Sequence, residues 1–158
     1  MKLSTKSKYG VRAMVALAAN KDNAPVSISS ISKKENISAC YLEQLFIFLK
    51  NGNLIKSVRG AKGGYILAKR ADQITVGDIL KLLEGPIEIA DCTDGILCSR
   101  AANCATKVLW EKVKDSIEGV LNSITLQDIL DDYKGNKKIS EIQILDGSDI
   151  LYENSIFR

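Results

Sequence analysis

Apolar positions recur at helical spacing along most of the chain. Between Ser4 and Asn20, Val11, Met14, Val15, Leu17 and Ala18 fall on one face, with Ser4 or Thr5 placed to cap the amino end. After the turn Lys21-Asp-Asn-Ala-Pro25, Ser27 caps a short second helix that turns Ile28 and Ile31 inward and ends near Glu35-Asn36. Ser38 caps a third helix, Ala39 to Asn51, with the stripe Tyr41, Leu42, Leu45, Phe46 and Leu49 and with Gly52 as the residue that terminates it. The period then changes. Leu54 to Val58 and Tyr65 to Ala68 read as two short strands, joined by the hairpin tip Arg59-Gly-Ala-Lys-Gly-Gly64.

Helical spacing returns with Thr75, which caps Val76 to Leu83; Ile79, Leu80, Leu82 and Leu83 are its apolar positions, and Gly85-Pro86 ends it. A long amphipathic run, about Ala105 to Ser123, carries Val108, Leu109, Val113, Ile117, Val120, Leu121 and Ile124 on one stripe. Thr125 caps a last short helix, Leu126 to Tyr133, while the isoleucine-rich tail 134–158 takes no assignment. Trp110 and Tyr133 are expected to be packing residues, and no internal repeat is evident. These elements predict a mainly α fold with a small β-wing. A winged helix-turn-helix domain occupies 1–85, a cysteine loop 86–104, and a long helix with a short following one 105–133. A stripe as wide as that of the long helix needs a partner, and a second copy of the chain is the expected one, since a dimer suits a two-fold DNA site.

Charge sharpens this division. The net charge of +3 conceals 13 basic residues against three acids in residues 1–70, and nine against 16 in residues 71–158. Solvated lysines are common, but an imbalance of +10 in a short domain is the footprint of nucleic-acid binding. Lys2, Lys6, Lys8 and Arg12 crowd the first half of the first helix, where they oppose its dipole, so phosphate contact accounts for them better than helix stability does. The groove-facing positions of the third helix, Ser38, Cys40, Glu43 and Gln44, are short or polar enough to approach base edges. Arg59, Gly60 and Lys62 form a basic wing tip suited to phosphates or a minor groove, and no helix follows the glycine-rich turn, which excludes a nucleotide-binding loop.

Cys92, Cys98 and Cys104, three of the four cysteines, stand at equal spacings in a short loop-like run. Thiolates close together in sequence lose little loop-closure entropy on converging around a soft metal or an iron–sulfur cluster. The alternatives are three half-buried connector residues or a disulfide. No apolar stretch is long enough to span a bilayer and no apolar leader precedes the first helix, so a cytoplasmic protein with reduced thiols and no membrane partner is expected.

The opening Met-Lys-Leu-Ser-Thr-Lys-Ser-Lys-Tyr-Gly, the segment Ile37 to Phe46, the wing Ser57 to Tyr65 and the three cysteines together resemble the bacterial IscR-type iron–sulfur regulators over about residues 1–133. That resemblance implies a homodimeric winged-helix transcription factor on double-stranded DNA. It would be commonly a repressor of cluster-assembly genes, with a [2Fe–2S] cluster held by Cys92, Cys98 and Cys104. It also implies base reading by Tyr41, Glu43 and Gln44 and a wing contact by Arg59. Two positions depart from the family pattern: Lys107 stands where the fourth ligand, a histidine, is usual, and Cys40 replaces a serine. The chain has no histidine, so the fourth ligand stays open, with oxygen donors from Asp91, Asp94 or Glu111 as candidates. Two further readings compete: a cluster-free winged-helix regulator of thiol redox state or cysteine metabolism, and a zinc-stabilised DNA-binding module. The lack of any nucleophile–base constellation argues against an enzyme.

Overall fold

The computed structural model describes residues 4–20, 24–90 and 104–145. In these, six helices surround a two-stranded sheet: α1 Thr5–Ala18, α2 Ile28–Glu35, α3 Ala39–Asn51, β1 Ile55–Val58, β2 Gly64–Leu67, α4 Val76–Glu84, α5 Lys107–Ser123 and α6 Leu126–Leu145. Helix α1 lies at the centre because small and apolar residues, Ser7, Gly10, Ala13, Met14 and Leu17, recur on one face and let neighbours approach closely. Helices α2 and α3 make the helix-turn-helix. Asn36 closes α2 in the left-handed conformation (φ 52°, ψ 48°), and buried Ile37 pins the turn. Leu42, Leu45, Phe46 and Leu49 of α3 then face the core. Burying a side chain of this size contributes roughly 1.5–3 kcal/mol.

The wing pairs Ile55 with Leu67 through Val58 with Gly64, antiparallel. The outer edge of β2 is also paired: Val26 and Tyr65 exchange two N–H···O bonds of 2.9 Å, which anchors the segment entering α2. Tyr65 stands edge-on to Phe46, with ring centroids 4.8 Å apart.

Gly52 ends α3 for a reason other than backbone freedom. Its φ is −81° and the positive φ falls on Asn53; a Cβ on Gly52 would instead lie 2.1 Å from Leu82 Cδ1, so glycine is needed for α4 to pack there.

Several features differ from the sequence expectations. A 3-10 turn at Ala71–Gln73 precedes α4; three residues are too few to show a period. Helix α6 runs to Leu145, past the expected end at Tyr133. The expectation of no repeat is overturned: Ile74-Thr-Val-Gly-Asp-Ile-Leu80 and Ile124-Thr-Leu-Gln-Asp-Ile-Leu130 share five of seven residues. The two copies clasp each other antiparallel, Val76 N donating to Ile124 O (2.9 Å) and Leu126 N to Ile74 O (3.0 Å). In each copy Thr and Asp cap the following helix reciprocally. Ile74 and Leu126 are both fully buried, so α6 shares the core of α1 although α5 intervenes in sequence.

Helix α5 buries none of its residues. Val108, Leu109 and Val120 are 57, 52 and 58% exposed, and Trp110 and Tyr133, expected to pack, are exposed as well. The expectation for Trp110 and Tyr133 thus does not hold within one chain. Helix α5 touches α4 near its carboxyl end, through Asn122 against Gly77. No described helix is long and apolar enough to cross a membrane.

Candidate nucleic-acid interface and cysteine site

The face of α3 opposite the core is the surface the helix-turn-helix presents. Cys40, Glu43, Gln44 and Ile47 recur at three- and four-residue spacing on it, and all are exposed. Ser38 is exposed too, but its hydroxyl is occupied, accepting the Tyr41 N–H at 3.2 Å as the cap of α3. Tyr41 is half-buried and edge-on to Tyr9 at 5.9 Å, which fixes its ring beside the reading face. Ile47 was not among the residues expected from sequence; its apolar character blended with the core stripe. At 59% exposure it belongs to the polar face.

At the wing tip Arg59, Gly60 and Lys62 are all exposed, and neither cation has an ion-pair partner among the described residues. Gly60 has φ 122°, a conformation only glycine adopts readily, and its carbonyl accepts the Gly63 N–H at 2.9 Å to close the turn. Lys62 flanks an open cleft of about 580 Å³ between the wing and α2, and Lys34, Ser27 and Ser30 line it from the α2 side. Lys34 was missed from sequence. The signal was its place seven residues after Ser27, on the same helical face.

The amino-terminal cations have different surroundings. Lys8 is exposed, and Lys6 places Nζ 4.0 Å from the Phe48 ring centroid. Arg12 is tied to the end of α2, its guanidinium 3.1 Å from Glu35 Oε2 and bonded to the Glu35 carbonyl. Lys2 lies outside the described residues.

Of the cysteine set, Cys104 is described; Cys92, Cys98, Asp91 and Asp94 lie outside the described residues. Cys104 precedes α5 with Sγ 3.3 Å from Thr106 Oγ1. The Thr106 hydroxyl first, then the Thr106 N–H, hold its thiol below the ordinary range; slight burial opposes them, and the Lys107 N–H and charge add to them. A sulfur biased toward thiolate fits a ligand to iron or zinc. Lys107 pairs with Glu111 across one helical turn at 3.7 Å, both side chains being exposed; the ammonium, having donors only, offers no lone pair to a metal. Among the described residues no group of three or more Cys, Asp or Glu is poised around one point. Cys40 is a free, exposed thiol on α3.

Comparisons with known proteins agree with this geometry. The family profile of Rrf2, described as an iron-dependent transcriptional regulator, matches residues 3–132. The chain is similar to the HTH-type transcriptional regulator CymR of Bacillus subtilis (strain 168), at 42% identity over 129 residues, 82% of this chain and 89% of that protein. Its fold is similar to the structure of T. potens IscR, with TM-score 0.70 and 47% identity over 84% of this chain and 88% of the other. It is also similar to the structure of CymR, the global cysteine regulator of B. subtilis, with TM-score 0.68 and 39% identity over 82% of this chain and 95% of the other.

Proposed function

Because the chain belongs to the Rrf2 family of transcriptional regulators and is not an enzyme, we propose that it is a homodimeric repressor whose operator binding follows the occupancy of an iron–sulfur cluster. The [2Fe–2S] cluster would be held by Cys92, Cys98 and Cys104, and the regulated genes would be those of cluster assembly. The observation that carries this reading is the set of three evenly spaced cysteines whose described member, Cys104, is held toward thiolate.

Helix α3 enters a major groove with Cys40, Glu43, Gln44 and Ile47 toward base edges. Glu43 accepts from cytosine N4, and Ile47 meets the methyl of thymine. Tyr41, steadied by Tyr9, borders this face. Arg59, Gly60 and Lys62 on one side and Lys34 on the other hold the backbone, while Lys6 and Lys8 of α1, together with Lys2, add phosphate contacts. The exposed apolar face of α5 seats a second copy and sets two reading helices on a two-fold site. A bound cluster supplies a charged, oxidisable group that is lost when iron or sulfide is short.

A second reading, a cluster-free regulator of cysteine metabolism, is favoured by the similarity to CymR. One spectrum separates them. Anaerobically purified protein should be coloured, with sulfur-to-iron charge-transfer bands that vanish in Cys104→Ala; a colourless protein free of iron would reject the cluster, and stoichiometric zinc would point to a structural metal.

A further inference from the structure

Three elements meet at the amino end of α1. Glu84, the last residue of α4, accepts hydrogen bonds from the hydroxyls of Ser4 and Ser7, the latter at 2.5 Å. Ser7 is a buried polar side chain, so Glu84 supplies the acceptor without which its hydroxyl would be stranded. Lys6, between the two serines, lies over Phe48 on the carboxyl-terminal half of α3. Helices α1 and α4 are pressed together here, Leu83 lying flat on Gly10. Immediately after Glu84 the chain turns at Gly85 (φ 88°) and Pro86, and Cys92 follows eight residues beyond Glu84 in the sequence.

A carboxylate at a helix amino end is ordinarily a stabilising cap. Here its placement gives it a second consequence. The helix end that holds Glu84 also carries Lys6 and Lys8 and touches α3, and the backbone that bears Glu84 is the one leading to Cys92.

We infer that Glu84 is a positioning residue that couples the cysteine segment to the DNA-reading surface. This rests on the function proposed above and adds the route by which it is exerted. With the carboxylate seated on Ser4 and Ser7, the end of α4 and the start of α1 move as one body. A displacement of the α4 end is then passed to Lys6 and, through Phe48, to α3. The Ser4 hydroxyl first, then Ser7 and Lys6, keep the carboxyl below its usual range, so the seat stays charged at neutral pH.

A double-mutant cycle on the full chain tests this, with a duplex selected from random sequence by the wild-type protein as probe and fluorescence anisotropy at fixed salt as readout. Changing Cys92, Cys98 and Cys104 together to Ala should alter Kd by about tenfold when Glu84 is present. In Glu84→Gln the same cysteine change should alter it by less than about twofold. An equal factor in both backgrounds would reduce Glu84 to a helix cap and overturn the coupling while leaving the proposed function intact. No factor even with Glu84 present would overturn both. Because Glu84→Gln also weakens the acceptor for buried Ser7, Ser4→Gly serves as the milder variant. It keeps a tolerated capping residue, removes one hydroxyl, and should shrink the factor partway; an undiminished factor would count against the proposal.

Discussion

Single residues carry the chemistry of this protein through their neighbours rather than their identity alone. Arg12 and Lys8 read alike in sequence, as cations on one helix, yet Arg12 is spent on Glu35 and the end of α2 while Lys8 is exposed. Lys107, at the position where a histidine ligand is usual, and Glu111, a candidate oxygen donor, lie one helical turn apart and form an exposed ion pair of 3.7 Å. Glu43 is different. It is exposed on the reading face with no partner among the described residues, and a carboxylate there repels phosphates and finds a donor on few base edges besides cytosine. Glu43→Ala should therefore relax sequence preference more than it weakens binding, as measured across a panel of operator variants; an unchanged ranking of those variants would sink the idea. Arg59→Ala should cost on the order of 1–3 kcal/mol of operator affinity if its guanidinium enters a groove.

Among elements, the clasp between the two Ile-Thr-x-x-Asp-Ile-Leu segments has the largest consequence. It brings the amino ends of α4 and α6 side by side and closes the excursion through α5, so that Leu126 fills the core beside α1. Thr75→Ala and Thr125→Ala should each lower unfolding free energy by about 1 kcal/mol, measured by denaturant melts, because each removes one cap of the same kind. The partnership should also respond to acid. The Thr125 hydroxyl first, then its N–H, hold the Asp128 carboxyl below its usual range. A pKa lowered by folding means that its stabilisation is fully present above the unfolded value and is lost as pH falls through the folded one. The stability difference between wild type and Asp128→Asn should accordingly narrow below about pH 4. A difference that stayed constant from neutral pH to pH 3 would show the carboxylate charge to be irrelevant to the cap.

At the scale of the whole molecule, a basic reading domain is joined to a helix that leaves much of its apolar surface exposed. Val108, Leu109, Trp110 and Val120 stay exposed in the single chain, an arrangement costly in water that the proposed dimer would relieve. Replacing Val108 and Leu109 together with Asp should convert a dimer to a monomer in sedimentation and weaken operator binding without changing the fold of the winged domain. The +10 balance of residues 1–70 should make binding steeply salt-dependent, each phosphate contact adding about 0.9 to the slope of log K against log salt. An affinity that barely moved with salt would contradict phosphate-dominated binding.

The local elements were legible in sequence because each is dictated locally. The caps Ser4, Ser27, Ser38 and Thr75, the stripe of α3 and the glycine-rich wing tip all act within a few residues, and the helices and strands fall where those signals place them. Cysteine spacing and charge asymmetry likewise belong to the chain itself. Tertiary structure decided which equal-looking groups meet across it. Arg12 faces Glu35, Glu84 reaches Ser4 and Ser7 from nearly eighty residues away, Leu82 rather than a turn requires Gly52, and residues 74–80 pair with residues 124–130. Hydrogen bonds and packing act over a few ångströms in space, whatever the separation along the chain, and only the folded arrangement of helices brings those atoms within reach.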